Sequence, residues 1–172
     1  MSRIVFVVGG TRSGKSSFAL ARATAISGKK VYVATAQACD AEMSERIAKH
    51  RQERGPQWET REEPIRLGEA LRKVSPAFRV VIVDCLTIWL SNLLCATEGA
   101  GGEEEDFLES LAETREEEMD LFIVSNEVGM GIVPENELAR RFRDMAGKLN
   151  QRVAHIADEV FLVAAGIPVK IK

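Results

Sequence analysis

The residues best suited to chemistry in this sequence form an eight-residue loop near its beginning. Residues 9–16 read GGTRSGKS and fit the pattern G-x-x-x-x-G-K-[S/T]. In this pattern, backbone N–H groups turn toward phosphate oxygens, and the start of the next helix adds favourable partial charge. Lys15 is expected to reach the β- and γ-phosphates, and the Ser16 hydroxyl to bind Mg²⁺. The predicted phosphate-binding residues are Gly9, Gly10, Thr11, Arg12, Ser13, Gly14, Lys15 and Ser16.

A second candidate is Asp84, the acid that ends the apolar run VVIVD. Four apolar residues followed by an acid form a weak pattern, and an ordinary carboxylate at a strand end would explain it. Beside a phosphate-binding loop the functional interpretation is favoured, because such a carboxylate can hold Mg²⁺ directly or through water. Ser16 and Asp84 are therefore the predicted metal ligands.

The third candidate is His50, one of two histidines in the chain, within ERIAKHRQER at residues 45–54. Helical spacing allows an ordinary interpretation, in which a half-buried histidine lies on an amphipathic helix with solvated charges. The chemical alternative is that the four neighbouring cations disfavour the protonated imidazole and keep it nucleophilic. The same cations would stabilise charge on a departing pyrophosphate. The residues alone leave both interpretations open.

The segment SNEVGMGIVPENELARRFRD, residues 125–144, is the last candidate. Asn126 and Glu127 are expected to project from the carboxyl end of a strand, which is where open α/β sheets bind ligands. Glycines permit a tight loop, and Pro134 is predicted to open the following helix. The segment either contacts substrate or simply begins a helix.

Five short apolar runs are predicted to be the strands that position these residues. They are nearly continuous rather than alternating, as in a parallel sheet buried on both faces. The strands are residues 4–8, 31–34, 80–84, 121–125 and 160–164, and the helices between them are 15–26, 41–54, 64–73, 106–119 and 134–157. This alternation predicts a single doubly wound α/β domain over residues 1–172. Gly166 and Pro168 predict a turn into a final antiparallel edge strand.

Charge is distributed unevenly along the chain. Residues 97–120 contain eleven acids and one base, and the other residues carry 22 bases against 15 acids. We interpret the acidic part as a solvated surface and its beginning, TEGAGGEEED at 97–106, as a mobile loop. The remaining positive excess suits a body that binds anionic phosphates. It does not suit a duplex nucleic-acid binder, because the bases form no single stripe with aromatics.

Length and composition indicate a globular cytoplasmic protein. The 172 residues suffice for one domain. No apolar run approaches the roughly 20 residues that span a bilayer, and the apolar start RIVFVVGG lacks the features of a signal peptide. The thiols Cys39, Cys85 and Cys95 are odd in number and share no metal-type spacing. We interpret them as free cysteines in a reducing cytoplasm.

Four segments together resemble a known family, the bifunctional adenosylcobinamide kinase / adenosylcobinamide-phosphate guanylyltransferases of cobalamin biosynthesis. They are GGTRSGKS, VATAQACDAEMSERIAKHRQER, VDCLTIWLSNLL and NEVGMGIVPENELARRFRDMAGKLNQRVAHIADEVFLVAAGIPVKIK. The resemblance covers nearly the whole chain in the same order and weakens only around residues 65–78 and 97–118. The last segment is the most specific to the family.

The resemblance implies two reactions and a site for each. A nucleoside triphosphate, ATP or GTP, phosphorylates adenosylcobinamide, and GTP then gives GMP to that phosphate through a GMP–histidine that matches His50. His155 lies outside any family motif and is interpreted as structural. The implied guanine-nucleotide site comprises Ala34, Thr35, Ala36, Arg51, Gln52, Glu53, Arg54 and Glu62. The carboxylate of Glu62 suits guanine, whose N1–H and N2–H₂ edge presents donors.

The resemblance also implies a RecA-like P-loop NTPase fold and a homotrimer with sites near the subunit interfaces. Because Lys15 and His50 are both present, we favour retention of both reactions. Two other classes remain as alternatives. A kinase for a different small molecule would transfer only the γ-phosphate of its nucleotide. A switch-like P-loop binding module would bind nucleotide tightly, hydrolyse it slowly and ignore cobinamide.

Overall fold

Seven strands form one sheet in the computed structural model, which describes residues 2–37, 52, 54–74, 77–96 and 101–172. The strands are β1 Arg3–Gly9, β2 Lys30–Ala34, β3 Trp58–Glu62, β4 Val80–Asp84, β5 Asp120–Asn126, β6 Glu159–Ala164 and β7 Ile167–Lys170. Their order across the sheet is β3-β2-β4-β5-β1-β6-β7. Every neighbouring pair is parallel except β6–β7, which is antiparallel. The predicted mostly parallel sheet with an antiparallel edge strand is confirmed.

Helices flank both faces of this sheet, as predicted. In the described part of the chain they are α1 Lys15–Thr24, α2 Leu67–Val74, α3 Leu86–Cys95, α4 Glu103–Glu113 and α5 Glu137–Ile156, with a 3₁₀ turn at Thr114–Glu116. The predicted helix 41–54 lies almost entirely outside the described residues; Gln52 and Arg54 are helical. Among the described helices, none has the length and apolar character needed to cross a membrane.

The two faces of the sheet bury two separate apolar clusters. In β1, Phe6 and Val8 point into the cluster that contacts α2, α3, α4 and α5, and Val5 and Val7 point into the cluster that contacts α1. Because both faces are covered, nearly every residue of a central strand must be apolar. This explains why these strands appear in the sequence as continuous apolar runs.

Two elements are absent from the sequence prediction. Strand β3, WETRE, pairs only with β2 at the edge of the sheet and buries only Trp58, so it carries no apolar run. Helix α3 follows β4 after a single residue, and its sequence LTIWLSNLLC is apolar on nearly every side. Neither the strand period nor the helix period stands out in such segments.

The prediction of a mobile loop at residues 97–106 is wrong for its second half. Residues 103–106 form the first turn of α4, which begins after Gly102 in the left-handed conformation with φ of 89°. Four consecutive acids occupy this first turn, where the helix dipole favours negative charge. The helix also buries Phe107 and Leu111, so the acidic segment contributes to the core as well as to the surface.

The long helix α5 begins three residues later than predicted. Pro134 lies before the helix, and the Asn136 side chain caps it by accepting a hydrogen bond from the Ala139 N–H at 3.1 Å. The cap satisfies an N–H group that has no partner within the helix. The predicted turn into the final strand is confirmed at Ala165 and Gly166, which have φ of 50° and 80°.

Candidate functional site

The phosphate-binding loop connects β1 to α1 in the predicted manner. The Ser13 N–H donates to the Gly10 carbonyl at 3.2 Å, and the Phe18 N–H donates to the Gly14 carbonyl at 2.9 Å. Lys15 is almost fully buried, and its Nζ donates to the Gly10 carbonyl at 3.0 Å. The ammonium group is therefore folded over the backbone that would hold phosphate oxygens.

Two glycines of this loop are required by close packing against the C-terminal hairpin. A Cβ on Gly9 would lie 2.4 Å from the Val163 carbonyl oxygen, inside any acceptable contact. Gly14 has φ of +95°, and a Cβ there would lie 3.2 Å from Gly166 Cα. The Gly166 N–H donates to the Ser13 carbonyl at 2.8 Å, so the β6–β7 hairpin supports the loop directly.

The predicted site residues at strand ends lie along the carboxyl ends of the parallel strands. Ala34 pairs with both Asp84 on one side and Glu62 on the other. Gly9 pairs with Asn126 further along the same edge. Because the five strands are parallel, their carboxyl ends all face the ligand side of the sheet. The structure thus brings the phosphate loop, Asp84, Glu62 and the end of β5 together on one side of the molecule.

Asp84 is held by a residue that the sequence analysis did not select. The Tyr32 hydroxyl donates to Asp84 Oδ2 at 2.5 Å across neighbouring strands. Burial, together with the nearby Asp84 charge, raises the pKa of Tyr32 well above its ordinary value, so the phenol remains a donor. Tyr32 was missed because it occupies an apolar strand and reads as an ordinary core residue.

Thr35 joins the ends of β2 and β4. Its hydroxyl donates to the Cys85 carbonyl at 2.8 Å and accepts from the Cys85 N–H at 2.8 Å, next to a cis Asp84–Cys85 peptide. Thr35 is fully buried, so its hydroxyl serves to hold the backbone of Cys85, next to Asp84. Burial, and secondarily the charge of Asp84, raises the pKa of the Cys85 thiol to about 11, so it is neutral near pH 7.

The remaining residues implied for guanine binding differ in their exposure to solvent, and some lie outside the described residues. Glu62 is exposed at the end of β3, Ala34 and Ala36 are half-buried, and Gln52 is exposed. Arg54 is buried, and its Cζ lies 3.7 Å from the centre of the Tyr32 ring. Three predicted residues, His50, Arg51 and Glu53, lie outside the described residues.

The segment after β5 is tied to the phosphate loop. The Glu127 N–H donates to the Gly9 carbonyl at 3.0 Å, and Glu127 Oε1 accepts from the Gly129 N–H at 2.5 Å. Thr87 Oγ1 accepts from the Asn126 N–H at 2.7 Å, and Asn150 Nδ2 donates to the Asn126 carbonyl at 3.1 Å. Thr87 and Asn150 are supporting residues that no local motif in the sequence identified.

The middle of the same segment presents apolar side chains to solvent. Met130 is 80% exposed, Ile132 97% and Val133 62%. At its far end, Arg140 Nη1 donates to the Pro134 carbonyl at 3.0 Å and to the Glu135 carbonyl. We call residues 128–134 the β5–α5 loop. It is anchored at both ends while its centre exposes a cluster of hydrophobic groups.

His155 lies far from the carboxyl ends of the parallel strands. It is exposed in the last turn of α5, just before β6 begins at the opposite end of the strands, where their amino ends lie. Its carbonyl accepts a hydrogen bond from Lys172 Nζ at 3.0 Å. This position agrees with the structural interpretation of that histidine.

The residues near the phosphate loop fit a magnesium ion that is shared with a nucleotide. Mg²⁺ takes oxygen ligands and is usually held by one or two protein groups together with phosphates and water. The Ser16 hydroxyl at the start of α1 and the half-buried Asp84 carboxylate are ligands of this type. Within the described ranges, no group of three or more His, Cys, Asp or Glu side chains could hold a metal alone.

Comparison with known proteins identifies similar sequences along nearly the whole chain. A family model described as cobinamide kinase / cobinamide phosphate guanyltransferase matches residues 5–171. The bifunctional adenosylcobalamin biosynthesis protein CobP of Pseudomonas aeruginosa is 46% identical, over 96% of this chain and 95% of that protein. The CobU proteins of Salmonella typhimurium and Escherichia coli, also named bifunctional, are 39% and 40% identical over 98% of this chain and 99% of each protein.

Solved structures similar to this chain confirm the fold alone. A KaiC-like protein from Pyrococcus horikoshii aligns with a TM-score of 0.51 at 13% identity, over 93% of this chain and 70% of that one. The RadB recombinase aligns with a TM-score of 0.53 at 16% identity, over 93% and 73%. The predicted RecA-like P-loop fold is thereby confirmed.

Proposed function

Because this chain belongs to the cobinamide kinase / cobinamide phosphate guanyltransferase family, we propose that it phosphorylates adenosylcobinamide and then transfers GMP from GTP to the product. It is an enzyme of this bifunctional class, and its relatives are named for cobalamin biosynthesis. The observation that carries the proposal is the convergence of the phosphate loop, Asp84 and the β5–α5 loop on one sheet edge.

In the first reaction, a hydroxyl of the acceptor attacks the γ-phosphorus of ATP or GTP. The new O–P bond forms as the bond to the β–γ bridging oxygen breaks, and the hydroxyl proton leaves. The Lys15 ammonium would exchange its contact with the Gly10 carbonyl for the β- and γ-phosphate oxygens. The backbone N–H groups of the loop, from Gly10 to Ser16, would hold the remaining oxygens.

Magnesium would be held by Ser16 and Asp84 beside the phosphates. When bound, the ion neutralises charge on the β- and γ-phosphate oxygens. The chain's own part is to orient these two ligands. Ser16 is fixed by the first turn of α1, and Asp84 by its hydrogen bond from Tyr32.

In the second reaction, a nitrogen of His50 would attack the α-phosphorus of GTP and release pyrophosphate. A phosphate oxygen of the phosphorylated acceptor would then attack the GMP phosphorus and free the histidine. The segment after the histidine, Arg51 to Arg54, supplies cations suited to a departing pyrophosphate. Glu62 and the Ala34–Ala36 segment, at neighbouring strand ends, would recognise guanine.

We place the acceptor against the β5–α5 loop. A corrinoid is large and has an extensive apolar surface, and this loop exposes Met130, Ile132 and Val133 to solvent. The loop is bonded to Gly9 of the phosphate loop through Glu127, so an acceptor lying on it would be near the transferred phosphate. Exposed clusters of this kind mark binding sites.

Two further features are part of the proposal. We propose a homotrimer with sites near the subunit interfaces, on the strength of the family resemblance. We also propose a cytoplasmic location, based on three cysteines without a disulfide or metal pattern.

Labelled nucleotides test the two reactions separately. With GTP labelled at the γ-phosphate, the protein should transfer label to cobinamide. With GTP labelled at the α-phosphate, it should label itself and then pass that label to cobinamide phosphate. Transfer of the γ-label without any transfer of the α-label would leave only the kinase half of the proposal.

A further inference from the structure

Tyr32 is the only tyrosine in the chain, and it contacts two separate parts of the site. On one side its hydroxyl donates to Asp84 Oδ2 at 2.5 Å. On the other side the Arg54 guanidinium lies over its ring, with Cζ 3.7 Å from the ring centre. Asp84 belongs to the phosphate side of the site, and Arg54 follows His50 by four residues in the sequence.

Both contacts are made in a buried setting, where they are stronger than in water. Tyr32 is 7% exposed and Arg54 6%. The Tyr32 hydroxyl donates to the carboxylate, and this bond fixes one of the two carboxylate oxygens of Asp84.

The ring itself is held firmly by its neighbours. Trp58 at the start of β3 packs edge-on against Tyr32, with ring centres 6.4 Å apart at 83°. The Trp58 Nε1–H donates to Thr24 Oγ1 at 3.3 Å, which links this aromatic pair to the end of α1. A rigid, buried ring offers a stable face for a guanidinium.

We propose that Tyr32 is a positioning residue that serves both reactions, fixing Asp84 through its hydroxyl and Arg54 through its ring. This inference rests on the proposed function, because it assigns Asp84 to the phosphate side and the Arg54 segment to guanylyl transfer. The two roles belong to different parts of one side chain. They can therefore be separated by substitution.

The geometry can be tested without any nucleotide. Replacing tyrosine by 3-fluorotyrosine in the full chain labels one site only, because the sequence contains one tyrosine. We expect the ¹⁹F resonance to move in Asp84→Asn, which changes the acceptor, and in Arg54→Leu, which removes the cation. Glu59→Gln, an exposed change on β3, should leave it in place. A resonance that ignores both site variants would contradict the proposed contacts.

The two roles are tested by two variants with a matched control. Tyr32→Phe keeps the ring and loses the bond to Asp84. It should raise the Mg²⁺ concentration for half-maximal binding of a fluorescent triphosphate analogue about tenfold. The rate of GMP–protein formation at saturating Mg²⁺ should change by less than about twofold. Tyr32→Leu should share the first effect and also slow GMP–protein formation about fivefold or more.

Glu59→Gln again serves as the control because it changes an exposed side chain on β3 and keeps Tyr32, Asp84 and Arg54. It should leave both measurements at wild-type values, with a similar thermal stability confirming that all the variants fold. If Tyr32→Leu does not fold, Tyr32→Phe still tests the bond to Asp84, and Arg54→Leu tests the stacked cation.

The outcomes separate this inference from the proposed function. If the wild-type protein neither phosphorylates cobinamide nor acquires GMP, the proposed function fails and the inference fails with it. If the wild-type protein does both, the inference is tested alone. Wild-type Mg²⁺ dependence in Tyr32→Phe, or a wild-type rate of GMP–protein formation in Tyr32→Leu, would then contradict it.

Discussion

The Glu127 N–H donates to the Gly9 carbonyl at 3.0 Å, which fastens the β5–α5 loop to the first residue of the phosphate loop. This bond places the start of an exposed hydrophobic segment beside the phosphate loop. The same strand pairing sets Gly9 opposite Asn126. The proposed acceptor side and the proposed donor side of the site thus lie on adjacent strands, and each can be altered without the other.

Substituting Ile132 by Ser should weaken acceptor binding. Ile132 is 97% exposed, so its loss leaves the folded chain unaffected and removes apolar contact only from a bound acceptor. We expect KM for cobinamide to rise about tenfold, with KM for the nucleotide within about twofold of wild type. Steady-state phosphorylation measured against each substrate in turn gives both values.

Ile171→Ser is the matched control for that variant. Ile171 is 60% exposed, but its N–H bonds the Val160 carbonyl, at the opposite end of the sheet from the phosphate loop. It should leave KM for cobinamide unchanged. Sedimentation velocity on both variants tests whether the β5–α5 loop instead contacts another subunit. A change of oligomeric state in Ile132→Ser alone would contradict the acceptor assignment.

Adding a methyl group at Gly9 should destabilise the protein, because the new Cβ would lie 2.4 Å from the Val163 carbonyl oxygen and 2.7 Å from Ser13 Oγ. We expect Gly9→Ala to lower the free energy of unfolding by about 2 kcal/mol or more. Gly10→Ala is the neighbouring control, since its Cβ would meet nothing within 4 Å. Urea denaturation compares the two. Equal free energies of unfolding for the two variants would show that the β6–β7 hairpin does not pack closely against Gly9.

The hydroxyl of Thr35 should contribute to stability through its two bonds to the Cys85 peptide, at 2.8 Å each. Thr35→Val leaves a buried N–H and carbonyl without this partner. We expect a loss of about 2 kcal/mol in the free energy of unfolding. Thr35→Ser retains the hydroxyl and should lose less. A Thr35→Val variant as stable as the wild type would contradict a contribution from these hydrogen bonds.

The thiols Cys85 and Cys95 should differ in reactivity in a chain carrying Cys39→Ser. Burial raises the pKa of Cys85 to about 11, and the thiolate is the reactive form, so at pH 8 Cys85 is both neutral and inaccessible. Cys95 is exposed. We expect iodoacetamide to modify Cys95 at pH 8, while Cys85 stays unmodified in the native state. Mass spectrometry of tryptic peptides gives the order, and early modification of Cys85 would contradict its burial.

The central strands were predictable because burial on both faces forces long apolar runs, and β4 and β5 show this directly. The edge strand β3 was not, because WETRE has one neighbouring strand and only one buried side chain, that of Trp58. Helix α3 was missed for the opposite reason, since its sequence is apolar on nearly every side and follows β4 after a single residue. Local sequence patterns reveal an element when its apolar residues recur with a strand or helix period. Neither β3 nor α3 shows such a period.

The residues of the site also divide into those that the sequence predicted and those that it did not. The phosphate loop is a local motif, so its spacing alone predicted where it would lie and which residues form it. The contact between Tyr32 and Asp84 spans 52 residues and depends on two strands becoming neighbours. The support of Asn126 by Thr87 and Asn150 depends equally on the tertiary fold. Contacts of this kind carry no signature in the local sequence.

The most direct test of the proposed function is covalent labelling by GTP that carries its label at the α-phosphate. The account predicts label on the wild-type protein that is lost in acid and stable in alkali, as for a phosphoramidate. It also predicts transfer of that label to cobinamide phosphate and none on His50→Ala, which should still bind GTP. A wild-type protein that binds GTP and acquires no label, or a His50→Ala variant that is labelled as fully, would contradict the account.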